Sequence, residues 1–290
     1  MSSFGAVMTS SKTVSAIPNV LSIAGVDPSG GAGVLADVKA ISALGGYACA
    51  VVAALTAQNT RAVSGVLPVA PAFVAEQIDT LLGDVRIAAT KIGMLGQAPV
   101  IAAVSERLAH WKVAPIVLDP VMVAKSGDEL LEKAAVGALR EALLPLATVI
   151  TPNLPEAGVL LEARAPETLK EMTRAVEKLR ELLRGDGQRW VLLKGGHLPG
   201  SAPIDLLHDG DRMIELTAER VATRNTHGTG CTLSSALATL LARGADMPTA
   251  ARAAKEYLTG ALKDADTLRV GTGHGPVHHF WKLWRDRGLE

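Results

Sequence analysis

The chain has 290 residues, of which 48% are hydrophobic and 3% aromatic, and its 29 Lys+Arg balance 29 Asp+Glu. That composition supplies a large core of Ala, Val and Leu, and the even charge excludes the basic field expected of a protein that binds nucleic acid or an anionic membrane. No apolar run approaches a membrane span, and two cysteines without secretory features point to a reducing compartment, the cytoplasm.

Residues 1–18 are Ser/Thr-rich and lack both a basic start and an apolar signal core, so they are expected to form a disordered extension ahead of one domain over 19–290. Residues 20–24 form an apolar strand, followed by a glycine loop at 25–33 and a helical pattern to about 44. A phosphate loop of the Walker type would need Lys and Ser/Thr where Gly31 and Ala32 stand, so it fails. Gly31-Ala32-Gly33-Val34-Leu35-Ala36 fits the dinucleotide fingerprint, but the next strand, 48–55, ends in Thr56-Ala57-Gln58-Asn59-Thr60 without the acidic residue a ribose requires.

A helix follows at 72–82, a strand at 88–94, a helix at 100–111 and a short buried strand at 115–119. Then come an amphipathic helix at 129–144, stopped by Pro145, and a strand at 148–151, stopped by Pro152. Helices near 155–161 and 169–184 lead to a strand at 190–194. Repeated strand–helix units demand a mostly parallel sheet covered by helices on both faces. The rhythm changes at 204–208 and 212–216, two extended segments around Asp209-Gly210-Asp211, a hairpin signal. That hairpin is either a lid over a nucleotide or an edge that completes the sheet. Helices at 232–243 and 248–265 and a packed tail at 277–284 close the domain.

Ligands of open parallel sheets bind beyond the carboxyl ends of the strands. The polar groups there are Gly25 and Asp27, Gln58 and Asn59, Gly93 and Met94, Asp119 with Lys125-Ser126-Gly127, Asn153 with Glu156, and Lys194 with His197. Their recurrence at strand after strand is the case for a site. The most telling stretch is Asn225-Thr226-His227-Gly228-Thr229-Gly230-Cys231, which opens a helix. Paired glycines and free helix N–H groups suit a phosphate, and a thiolate on that turn is expected to be stabilised. The alternative is a Gly-rich turn with a buried, inert cysteine.

These motifs resemble the ribokinase-like small-molecule kinases, and within them the bacterial hydroxymethylpyrimidine/phosphomethylpyrimidine kinases of thiamine biosynthesis. The likeness rests on Ala24-Gly-Val-Asp-Pro-Ser-Gly-Gly-Ala-Gly33, Ala57-Gln-Asn-Thr60, Lys91-Ile-Gly-Met-Leu95, Leu118-Asp-Pro-Val-Met122 and Ala124-Lys-Ser-Gly127. It continues through Ile150-Thr-Pro-Asn-Leu-Pro-Glu-Ala157, Leu193-Lys-Gly-Gly-His197, the cysteine turn and Gly275-Pro-Val-His-His279, in family order over about 20–284. Thr56 departs from the pattern, which has an apolar residue there. The chain's end at 290 implies no fused thiamine-phosphate synthase.

The resemblance implies a single ribokinase-like α/β domain with a hairpin or lid element, using ATP and Mg²⁺ on a small-molecule pyrimidine. It implies no nucleic-acid or membrane partner and leaves a homodimer open. Cys231 is then the base, with a lowered pKa, and Gly228, Thr229 and Gly230 turn their N–H groups to the transferring phosphoryl. Lys194, Asn153 and Thr229 would meet the nucleotide, and Glu156, Asn153 and Asp119 would hold Mg²⁺ through waters. For Lys194 the competing reading is a surface ion pair. Gln58, Asp37, Gly25 and Met94 would line the acceptor site, with the Gln58 amide matching an aminopyrimidine edge. A pyridoxal or pyridoxine kinase, a nicotinamide oxidoreductase and a non-catalytic pyrimidine- or nucleotide-binding protein are the alternatives.

Overall fold

The computed structural model describes residues 17–122, 130, 134–185, 187–196, 198 and 202–289. The expected extension, apart from residues 17 and 18, lies outside those residues, as do Lys125-Ser126-Gly127 and His197. Among them runs a nine-stranded sheet in the order β3-β2-β1-β4-β5-β6-β7-β8-β9. The strands are β1 (Asn19–Val26), β2 (Tyr47–Gln58), β3 (Val63–Pro68), β4 (Ala89–Ile92), β5 (Ile116–Leu118), β6 (Val149–Ile150), β7 (Trp190–Leu193), β8 (Ile204–His208) and β9 (Met213–Thr217). The six strands β2-β1-β4-β5-β6-β7 pair in parallel. β4 through β7 are buried at every residue, as strands covered on both faces must be.

Helices α1 (Gly33–Ala43), α7 (Thr229–Ala242) and α8 (Met247–Lys263) cover one face, packing Ile41, Leu237 and Ala254 over Val20, Val117 and Val149. On the other face lie α2 (Pro71–Leu82), α3 (Ala98–His110), α4 (Ala135–Ala138), α5 (Leu154–Leu160) and α6 (Leu169–Leu182), which bring Ile78, Val104, Leu160 and Leu179 against Leu21, Ile23 and Val191. A short α9 (Trp281–Arg285) ends the tail, where Val277, His278 and His279 are buried as expected. The predicted helix over 129–144 is described from Ala135 and runs through a π turn and a 3-10 turn to Leu146, because Pro145 has no N–H for a regular last turn.

Two differences concern the edges. β3 was not foreseen: it pairs antiparallel with β2, and its exposed residues alternate too weakly to announce a strand. The 204–216 hairpin is not a lid. Its first strand pairs antiparallel with β7 and its second with β8, so its backbone groups complete the sheet. The Asp209 carboxylate closes that turn by accepting the N–H groups of Asp211 and Arg212, and with the Arg212 guanidinium this outweighs burial to hold it down at about 2.

The chain leaves β1 to pair on one side with β2 and returns to pair on the other with β4. Such a reversal opens a crevice at the carboxyl ends of the two central strands. The glycine loop after β1 and Gly93-Met94 after β4 lie at that crevice.

Candidate active site

The two glycine loops form one structure. Gly228 adopts φ +76, and a Cβ there would lie 1.8 Å from the Gly31 carbonyl oxygen. Gly33, at φ +58, would place a Cβ 2.2 Å from the Gly25 carbonyl oxygen. Only glycine meets both demands, left-handed backbone and close approach. His227 fastens the pair: its Nε2 lies 2.6 Å from Asp27 Oδ2, and its ring lies against Gly31. Asp27 also accepts from the N–H groups of Ser29 and Ala32 and from the Ser29 hydroxyl. Burial pushes this carboxyl up, but His227 and Ser29 outweigh it and hold it below the ordinary value. Sequence reasoning missed His227, although it sits inside the cysteine motif.

Beyond the left-handed Gly228, α7 begins at Thr229, and no side chain caps its first turn. The amides of that turn and the helix dipole point to one place, the arrangement an anion needs. Under the turn lies an ion pair: Lys194 Nζ is 2.9 Å from Asp119 Oδ1, and a Cβ on Gly230 would lie 3.3 Å from both Asp119 Oδ2 and Lys194 Nζ. Lys194 is therefore no surface partner. Burial alone would lower it, yet Asp119 and Glu156 raise it above the ordinary lysine value. Asp119 is held low by Lys194 and Lys91 against the cost of burial, and it accepts from Thr151 at 3.0 Å.

Asn153 and Glu156 cap α5 reciprocally. Glu156 N–H donates to Asn153 Oδ1 at 2.9 Å, and Asn153 N–H donates to Glu156 Oε2 at 2.8 Å. Capping does not exhaust Glu156. Burial, helped by the like charge of Asp119, pushes its carboxyl up to about 7 despite Lys194. Two buried carboxylates share one lysine there, an excess of negative charge that a hard divalent cation would relieve. Among the described residues no group of three or more His, Cys, Asp or Glu forms a metal cage. Mg²⁺ keeps most of its waters and takes one or two carboxylates, so the Asp119–Glu156 pair would fit it.

Cys231 is partly exposed at the same turn. The expected low thiol pKa is not found: burial pushes the thiol up to about 11, Asp37 and Asp119 adding to it against Lys91 and the Gly33 N–H. The thiol is the resting form.

Three of the four expected acceptor residues meet at the crevice. Gly25 N–H donates to the Met94 carbonyl at 3.1 Å, and the Met94 methyl lies over Gly25, 2.5 Å from where a Cβ would be. The methyl thus occupies the space beside the Gly25 backbone that only a glycine leaves open. Gln58 ends β2, its Oε1 3.1 Å from the Thr56 hydroxyl, which also lies 2.9 Å from the Val26 carbonyl. Thr56, the departure from the family pattern, thus ties Gln58 to the end of β1. Asp37 is the exception. It is fully buried, 2.7 Å from Lys91 Nζ, and accepts from Ser22 and Ser235, so it does not face the crevice. Helical spacing placed it on the inner face of α1 but could not say what the face packs against.

The phosphomethylpyrimidine kinase family model matches residues 27–278. A hydroxymethylpyrimidine/phosphomethylpyrimidine kinase of Escherichia coli is 52% identical over 266 residues, covering 92% of this chain and 98% of that one. A thiamine biosynthesis bifunctional protein of Geobacter sulfurreducens is 45% identical over 264 residues, 90% of this chain and 52% of that protein. Among solved structures, a Staphylococcus aureus pyridoxal kinase in complex with AMP-PCP and pyridoxal is 31% identical, with a TM-score of 0.83 over 92% of this chain and 95% of that chain.

Proposed function

We infer the function from one premise: the chain belongs to the phosphomethylpyrimidine kinase family. It is an ATP-dependent phosphotransferase of thiamine biosynthesis, with the ribokinase-like fold, that phosphorylates 4-amino-5-hydroxymethyl-2-methylpyrimidine and then its monophosphate. The observation that carries the chemistry is the uncapped first turn of α7, with Cys231 on it and the Asp119–Lys194 pair beneath.

In the mechanism we propose, the Gly228–Thr229–Gly230 turn receives the γ-phosphoryl, and Lys194 neutralises phosphate oxygens beside it. The Cys231 thiolate takes the proton of the acceptor hydroxyl as its oxygen attacks phosphorus. The bond to the bridging oxygen breaks, and ADP leaves with the electron pair. Glu156, Asn153 and Asp119 would hold Mg²⁺ through waters, and the ion supplies charge to the phosphates. Gln58 meets the amino and ring-nitrogen edge of the pyrimidine, while Gly25 and Met94 form the wall. The reading places this chemistry in the cytoplasm, on a small molecule; no described helix is long and apolar enough to cross a membrane. A homodimer belongs to the same reading. The exposed Leu55 and Leu67, paired on the edge hairpin, support it, and sedimentation tests it.

A pyridoxal kinase is the second reading, supported by the structural neighbour of that name. The experiment is purified protein with ATP, Mg²⁺ and equal amounts of hydroxymethylpyrimidine and pyridoxal, with products read by mass. Pyrimidine monophosphate followed by diphosphate is the expected result; pyridoxal phosphate as the main product would replace this reading with the second.

A further inference from the structure

Beneath Cys231 lies a buried ion pair that the steps above leave without a task. Lys91 on β4 and Asp37 on α1 are both fully buried, with Lys91 Nζ 2.8 and 2.7 Å from the two Asp37 oxygens. Ser22, in direct register with Lys91 on the neighbouring strand, donates to Asp37 at 2.6 Å, and Ser235 on α7 donates at 2.8 Å. A buried pair of this kind commonly contributes no more stability than apolar side chains of the same volume. Its presence calls for another reason.

Its position supplies one. Cys231 and Ser235 are one turn apart on one face of α7, and Gly33 and Asp37 are one turn apart on one face of α1. The two helices meet along these faces: the Gly33 N–H reaches the Cys231 sulfur, and Asp37 reaches Ser235. Lys91 points its ammonium toward the carboxyl end of the sheet, 2.7 Å from where a Cβ on Gly93 would stand. The ammonium thus lies under the thiol, one helical turn in. Four charged groups act on the sulfur. Lys91 from β4 and Lys194 from the end of β7 favour its charged form, while Asp37 from α1 and Asp119 from the end of β5 oppose it.

We propose that Lys91 is a positioning residue for the proton transfer: its buried ammonium favours the Cys231 thiolate, and Asp37, with Ser22 and Ser235, holds that ammonium in place. The inference rests on Cys231 being the base. As the hydroxyl proton moves to sulfur and the new O–P bond forms, the lysine stays protonated and exchanges nothing. It acts only through its charge.

The test uses the full chain with Lys91→Met, Asp37→Asn and both together. For each, the rate at which iodoacetamide modifies Cys231 is measured against pH, by mass on the peptide that carries it, so that Cys49 is scored separately. Lys91→Met should raise the thiol pKa and slow modification near neutral pH by about tenfold or more, a factor of ten per pH unit. Asp37→Asn should shift the pKa the opposite way and speed modification. A pair that serves packing alone would move both variants in the same direction or neither, and that result overturns the proposal. Should Lys91→Met fail to fold, the double variant buries no unpaired charge and decides the question: slower modification than wild type supports the proposal, equal or faster modification refutes it. The thiol measurement needs no turnover. Full turnover in Cys231→Ala would remove the base and leave the electrostatic result standing.

Discussion

Glu156→Gln is expected to make the ligand-free protein more stable at pH 8 while impairing it as a kinase. Glu156 is 7% exposed, and its carboxyl is pushed up to about 7 by burial and by Asp119. An acid whose folded pKa lies above its unfolded value destabilises the fold once it must ionise. Stability is therefore highest in acid, falls as pH rises from about 4.5 through 7, and stays low above. At pH 8 the cost is about 3 kcal/mol. Gln keeps an oxygen for the Asn153 N–H, but a neutral acceptor makes a weaker cap, a loss of about 1 kcal/mol. The net gain is about 2 kcal/mol at pH 8, a rise of a few degrees in Tm, and it shrinks to about zero near pH 5. Thermal unfolding of both proteins at the two pH values reads this directly. Adding Mg²⁺ at pH 8 should raise the Tm of wild type more than that of the variant. A variant no more stable than wild type at pH 8, or one displaced equally at both pH values, would refute the reasoning.

Three further outcomes follow from the same geometry. Gly228→Ala must force a Cβ into the Gly31 carbonyl from a left-handed backbone, so it should cost about 2 kcal/mol or more in denaturant unfolding and cut turnover about a hundredfold. Gln58→Leu should lower kcat/KM for hydroxymethylpyrimidine by about ten- to a hundredfold and that for pyridoxal much less; equal losses in parallel assays would make Gln58 a general wall of the pocket. With the thiol resting near 11, kcat/KM should climb with pH across the neutral range, about tenfold per unit where proton transfer limits. A profile flat from pH 6 to 9 would exclude thiolate chemistry as the limiting event.

The parallel sheet was legible because its strands are mostly apolar runs punctuated by Gly and Pro, and because helical periodicity fills the gaps between them. The edges were less so. β3 shows weak alternation, and nothing in residues 204–216 says whether a hairpin stays in the sheet or folds over it. At the site, the cysteine turn and the Asn153–Glu156 box declare themselves through local chemistry. Long-range electrostatics do not. The α7 dipole suggested a low thiol pKa, and only the fold reveals the burial that reverses it, with Asp37 and Asp119 close enough to add to it. Lys91 did leave a trace, a lysine inside the buried run Ala89–Ile92, a position that demands a buried counter-charge. Asp37 was read as a ligand for want of that partner. His227 was read past because its partner Asp27 lies 200 residues away.

The proposed proton transfer depends most directly on Cys231. Steady-state turnover of Cys231→Ala on hydroxymethylpyrimidine, at saturating ATP and Mg²⁺ and with nucleotide binding measured on the same preparation, isolates its role. Loss of the general base should lower kcat by about a hundredfold or more while nucleotide affinity stays near wild type. Wild-type turnover in the folded variant would contradict the account and return Cys231 to the status of a buried thiol at the edge of a phosphate site.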